Sequence, residues 1–172
     1  MLPHHIELLS LNDIGCNEDI AETADTIEGN AILKANYVRD NYNLNCFADD
    51  TGLEVKSLNN EPGVYSARYA GAFHDSNANI QKLLKNLEGK KDRCARFKTA
   101  IALSMNHNEV MFLGICEGEI IKELRGDLGF GYDPIFKPKG FDKTFAEMTL
   151  TQKSEIGHRG KAMRQLIDYL SK

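Results

Sequence analysis

The sequence lacks any C-x-x-C pair, any run of basic residues and any long apolar stretch, and each absence removes a class of function. Its four cysteines, Cys16, Cys46, Cys94 and Cys116, stand alone. Spacing of that kind argues against a zinc ribbon or a dithiol redox centre and for plain thiols. Cys46, Cys94 and Cys116 fall in strand-like apolar stretches, where a free thiol behaves as a small hydrophobe. Lysine and arginine number 21 against 25 acidic residues, a formal net charge of -4. A general nucleic-acid binder would present a basic face to phosphates, so no nucleic-acid partner is expected. Nothing approaches the ~20 apolar residues of a membrane span, so no membrane partner is expected either. Met1-Leu2-Pro3-His4-His5 carries no cationic start ahead of an apolar run and does not read as a signal peptide. With unpaired thiols, the expectation is a cytoplasmic protein.

No repeat, low-complexity tract or Pro/Gly/Ser linker interrupts the 172 residues, so one domain over 1–172 is expected. At this length roughly 70% of the unfolded chain's surface can be buried without a disulfide or structural metal. Asp25 to Tyr42 reads as a helix, with Asp25 and Glu28 as a capping box and Ile27, Ala31, Ala35 and Val38 on one face. Cys46-Phe47-Ala48 is a short apolar run that halts at Asp49-Asp50-Thr51-Gly52, with Leu53 and Val55 alternating beyond it. Ser76 to Leu87 is a second helix with Gly89 as its stop. Arg96 to Met105 alternates as a strand, Asn106-His107-Asn108 makes a turn, and Val110 to Leu124 supplies one bent strand or two short ones. Met163, Leu166, Ile167 and Leu170 have helical spacing. Interleaved helices and strands around a hairpin predict an α/β fold with a mixed central sheet and flanking helices.

Three clusters carry chemical potential. Asp49 and Asp50 place two carboxylates at an expected strand end, where their repulsion favours a proton or a hard cation such as Mg²⁺; an ordinary acidic strand-to-turn junction is the plainer reading of the tetrapeptide alone. Gly126 to Pro134 sets glycines among Phe130 and Tyr132, with backbone that can approach a ligand, aromatic faces on which a base can stack, and Asp133 expected to be extended before Pro134. Lys153, His158 and Arg159 bring donors ahead of the last helix, where backbone N–H groups also favour anions; a solvated basic loop with a surface histidine is the plainer reading of this segment alone. Asn30 and Lys34, at i and i+4, share a helix face, and Glu22 precedes that helix. Arg68 suits either a phosphate or buried carbonyls.

In order, Glu22-Thr23, Asn30 to Ala35, Ala48 to Leu53, Pro62 to Tyr69, Gly129 to Pro134, and Lys153-Ser154 with His158-Arg159-Gly160 resemble the inosine triphosphate pyrophosphatase family. The resemblance implies two lobes around a cleft, a homodimer, and Mg²⁺-dependent hydrolysis of non-canonical purine triphosphates (ITP, dITP, XTP) to the monophosphate and pyrophosphate. It implies Asp50 as proton acceptor and metal ligand, with Glu22 as a second ligand. Thr51, Phe130, Gly131, Tyr132, Asp133, Lys153, His158 and Arg159 would bind substrate. The family pattern also has an apolar first strand leading to a Thr-x-Asn-x-x-Lys phosphate motif, which is absent from these residues. The chain is therefore expected to lack that first strand and helix, with an unpaired strand edge. A non-catalytic nucleotide-binding protein is the alternative this leaves open.

Overall fold

The computed structural model describes residues 6–71, 74–105 and 108–172. The expected N-terminal reading over residues 1–5 and most of the turn at Asn106-His107-Asn108 lie outside them. Helix α1 (Ile27–Tyr42) leads into strand β1 (Cys46–Val55), helix α2 (Ser76–Asn86) and strands β2 (Cys94–Met105) and β3 (Asn108–Ile120). A short β4 (Phe136–Pro138) and helices α3 (Leu150–Ile156) and α4 (His158–Leu170) complete the order. The sheet runs β1-β2-β3-β4. The α/β class is as expected, but every strand pairing among the described residues is antiparallel, so no mixed pairing is found there. No helix among those residues is long and apolar enough to cross a membrane.

Residues 99–104 of β2 are buried without a break, because helices cover both faces of the strand. Ala100 and Ala102 meet Ile27, Ala31 and Ala35 of α1 on one face. Ile101 and Leu103 meet Ala162 and Leu166 of α4 on the other. Toward the far end of the strands a third cluster gathers Leu53, Val55, Ile80, Leu83, Phe97, Phe136 and Phe145.

Three local expectations need correction. The cap of α1 is Thr26, not Asp25: its extended backbone (φ -133°) turns the hydroxyl to accept from Gly29 N–H at 3.0 Å. Glu28 instead pairs with Lys98 at 3.0 Å. Asp49-Asp50-Thr51-Gly52 is not a strand end, since these residues lie mid-ladder opposite Ile101, Ala100, Thr99 and Lys98. Gly52 does not turn the chain there; a Cβ would collide with the Gly63 carbonyl, so its bare backbone admits the neighbouring loop. Asp133 opens a one-turn helix (Asp133–Ile135) rather than standing extended, because its carboxylate folds back onto the Phe130 N–H. The Val110 to Leu124 segment is a single strand that ends at Ile120, and its edge partner β4 arrives only after the glycine loop.

Candidate active site

Because neighbouring residues of a strand point to opposite faces, Asp49 and Asp50 do not form one acidic pair. Each has its own cation. Asp50 turns toward α1 and accepts from Lys34 Nζ at 3.2 Å and Asn30 Nδ2 at 3.3 Å. Lys34 also reaches Glu22 at 2.8 Å, and Glu22 takes a second contact from Arg68 at 3.4 Å. Burial raises the Asp50 carboxyl above the usual carboxylate range; Lys34 opposes this, and the nearby Glu22 adds to it. Glu22 is also partly buried, but hydrogen bonds and charge from Lys34 and Arg68 prevail and hold it below its ordinary value.

On the other face, Asp49 is met by Arg159 at 2.9 Å. Thr51 Oγ1 lies 2.6 Å from Thr99 Oγ1, which lies 2.7 Å from His158 Nδ1. The His158 ring stacks on Phe97 with centroids 4.8 Å apart. Sequence reading grouped His158 with the cationic donors; the structure makes it a buried, neutral ring. Burial, then the charges of Arg159, Lys153 and Lys161, push its pKa down to about 3.

The glycine loop supplies the remaining wall. Asp133, 2% exposed, accepts from Phe130 N–H at 3.0 Å and forms an ion pair with Lys153. Tyr132 is buried and donates to the Ser66 carbonyl at 2.9 Å. Phe130 is the exception in this aromatic loop: 71% exposed, it extends its ring beneath Lys153 Nζ, 5.1 Å from the centroid. Gly129 and Gly131 both adopt left-handed backbone (φ +81° and +59°), and a Cβ at Gly129 would occupy the Asp133 carboxylate position.

The loop expected for Lys153, His158 and Arg159 ahead of the last helix is not found; Lys153 is on α3 and the other two begin the first turn of α4. A cavity of about 800 Å³ nonetheless unites Asp50, Thr51, Phe130, Asp133, Lys153 and Arg159, with Gly131, Tyr132 and His158 also in its wall. Its wall also takes in the start of α2 and parts of α3 and α4. Glu22 does not line this cavity but anchors Lys34, which does. Sequence reasoning passed over Thr99, although a hydroxyl in the apolar series Phe97, Ile101, Leu103 was the available signal. It also gave Asn30 and Lys34 little weight, since their face of α1 gains meaning only beside β1.

A cleft in an α/β protein whose wall sets carboxylates beside an aromatic ring, lysine and arginine suits a small polyanion with a flat ring. The model of the Ham1 family matches residues 1–169. The chain is 63% identical to a dITP/XTP pyrophosphatase of Christiangramia forsetii, over 100% of this chain and 90% of that one. It is 47% identical to a Bacillus subtilis protein of the same name, over 95% and 84% of the two chains. The solved Staphylococcus aureus Ham1 protein superposes with a TM-score of 0.93 at 42% identity, covering 96% of this chain and 86% of that one. This chain belongs to the Ham1 family.

Proposed function

We propose that this chain hydrolyses non-canonical purine nucleoside triphosphates (dITP, ITP and XTP) to the monophosphate and pyrophosphate. The carrying observation is that one cavity joins the Asp50 carboxylate to the Phe130 ring and the Lys153 and Arg159 cations. In this reading the base stacks on Phe130, with Gly131, Tyr132 and Asp133 shaping the pocket around base and sugar. Lys153, His158 and Arg159 lie in the wall at that end, and Thr51 lies between it and the phosphates. Lys34 and Asp50 face the triphosphate. The half-buried Asp50 carboxyl, raised above an ordinary carboxylate, accepts the proton of the attacking water.

Among the described residues no three His, Cys, Asp or Glu side chains gather into a cage. Glu22 and Asp50 do converge on a single Nζ. Two neighbouring carboxylates are hard-oxygen donors of the kind Mg²⁺ takes, so these two residues fit as its protein ligands. When bound, the ion would neutralise phosphate charge. A homodimer in the cytoplasm belongs to the same proposal; the free thiols of Cys16, Cys46, Cys94 and Cys116 suit a reducing compartment.

Hypoxanthine and xanthine present a keto oxygen at the 6-position, which an N–H donor accommodates. Adenine presents an amino group there and sets donor against donor, a mismatch that rejects strongly. The alternative of binding without catalysis is not favoured, because relatives 59–63% identical over nearly the whole chain carry the pyrophosphatase name. The test is to incubate the protein with dITP, XTP, dATP and modified pyrimidine triphosphates, with and without Mg²⁺, and to measure pyrophosphate. Release is expected from dITP and XTP with Mg²⁺. Binding of dITP without any pyrophosphate would overturn the reading.

A further inference from the structure

We propose that Thr99 is a positioning residue that fixes which ring nitrogen of His158 carries the proton, and through that the cleft's preference for 6-keto purines. The inference rests on the pyrophosphatase reading for its second half only. Thr99 is fully buried at the middle of β2, and its hydroxyl has a single hydrogen for two neighbours, Thr51 Oγ1 at 2.6 Å and His158 Nδ1 at 2.7 Å. The proton order along this chain is set at its far end. Arg159 Nη2 lies 3.5 Å from Thr51 Oγ1 and can only donate.

Thr51 therefore accepts from Arg159 and passes its own hydrogen to Thr99, which passes its hydrogen to His158 Nδ1. Run in reverse, Thr51 would receive hydrogens from both Arg159 and Thr99 and would have none of its own committed to the chain. Thr51 lines the cavity, so in that order its hydrogen would point into the cleft without a protein partner, whereas the forward order commits every hydroxyl hydrogen to a bond. The forward order leaves His158 Nδ1 as the acceptor and Nε2 as the protonated nitrogen. Phe97, stacked 19° from parallel, fixes the plane of the ring, so a flip would exchange the Thr99 bond for a carbon contact.

His158 lines the cavity. Its ring is neutral through the physiological range, pushed down to about 3 mainly by burial. A neutral imidazole can be donor or acceptor at a given nitrogen, so selectivity depends on the tautomer and not on charge. With the proton on Nε2, the ring edge away from Thr99 carries an N–H, the donor that matches a 6-keto oxygen and opposes a 6-amino group. Without the Thr99 hydroxyl, Nδ1 can take the proton, and Nε2 then offers a lone pair that adenine can use.

The experiment uses the full chain labelled with ¹⁵N-histidine, free of nucleotide, and reads the His158 tautomer by long-range ¹H–¹⁵N correlation. The wild type is expected to show protonated Nε2 and bare Nδ1. Thr99→Val, which keeps the shape and removes the hydroxyl, is expected to move the proton toward Nδ1. It should also lower the dITP-over-dATP ratio of kcat/KM by roughly tenfold, the scale of one misdirected hydrogen bond. The loss should fall on KM for dITP, with kcat little changed. Thr99→Ser retains the hydroxyl and should keep both the wild-type tautomer and the ratio. Protonated Nδ1 in the wild type overturns the proposal whether or not the valine variant folds. So does a folded Thr99→Val protein with an unchanged tautomer or an unchanged ratio. A wild type with protonated Nε2 that releases no pyrophosphate from dITP would instead overturn the pyrophosphatase reading together with the selectivity consequence.

Discussion

Asp50→Asn is expected to reduce kcat for dITP by about a thousandfold, the range of a positioned general base, while changing nucleotide affinity by less than about threefold. Asparagine matches aspartate in shape but accepts no proton at neutral pH. Its carboxamide oxygen can still receive one of the two hydrogen bonds that Asn30 and Lys34 now direct at the carboxylate. Lys34 would also keep its 2.8 Å contact with Glu22, so the cation at this end stays in place. With the titration run without Mg²⁺, for which Asp50 is also a fitting ligand, the substitution separates proton acceptance and metal ligation from positioning by Lys34. Pyrophosphate release under saturating dITP measures the first, and calorimetric titration with a non-hydrolysable dITP analogue measures the second. A variant that keeps wild-type kcat removes Asp50 from its assigned role.

A single methyl group at Gly114 is expected to damage catalysis less than Asp50→Asn but stability much more. Gly114 sits on β3 opposite Thr99, directly beneath the start of α4. A Cβ there would run into the His158 carbonyl oxygen and the Ala162 amide nitrogen. Both obstacles are backbone atoms of a helix, so no rotamer change relieves them and α4 must lift from the sheet. Overpacking of this kind costs about 3 kcal/mol, read from the urea midpoint. His158 and Arg159 are the first two residues of α4 and move with it. Displacing two wall residues by a fraction of a side-chain length lowers kcat/KM by about a hundredfold. An alanine variant with unchanged urea midpoint and unchanged kcat/KM would show that α4 does not seat this closely.

The parts of the structure that were legible in the sequence are those in which local pattern and tertiary context agree. The apolar series Ile27, Ala31, Ala35 and Val38 gave α1, and all four residues are buried in it. The series ending at Leu170 gave α4, down to its last residue. What was not legible depended on neighbours distant in sequence. Asp49-Asp50-Thr51-Gly52 looks like a strand end because carboxylates and glycine are rare in strands. It is a mid-strand stretch because β2 supplies the ladder, Arg159 and Lys34 supply cations on opposite faces, and Gly63 fills the space above Gly52. Asp133 was read as extended from the proline after it; the competing attraction was a single hydrogen bond to Phe130 N–H within the same loop.

The candidate site followed the same division. Phe130, Asp133, Lys153 and Arg159 were visible as unusual residue types in order along the chain, and they do line one cavity. Thr99 offered only a hydroxyl in an apolar series and Gly114 no signal at all, because their importance lies in position: one lies across a strand pair from Thr51, the other beneath a helix 44 residues later, at His158.

The most direct measurement is a crystal structure with Mg²⁺ and a non-hydrolysable dITP analogue. The account predicts one nucleotide in the cleft, its base against the Phe130 ring and its phosphates within reach of Asp50 and Lys34. An analogue bound elsewhere, or bound here with its phosphates turned toward Phe130, would contradict it.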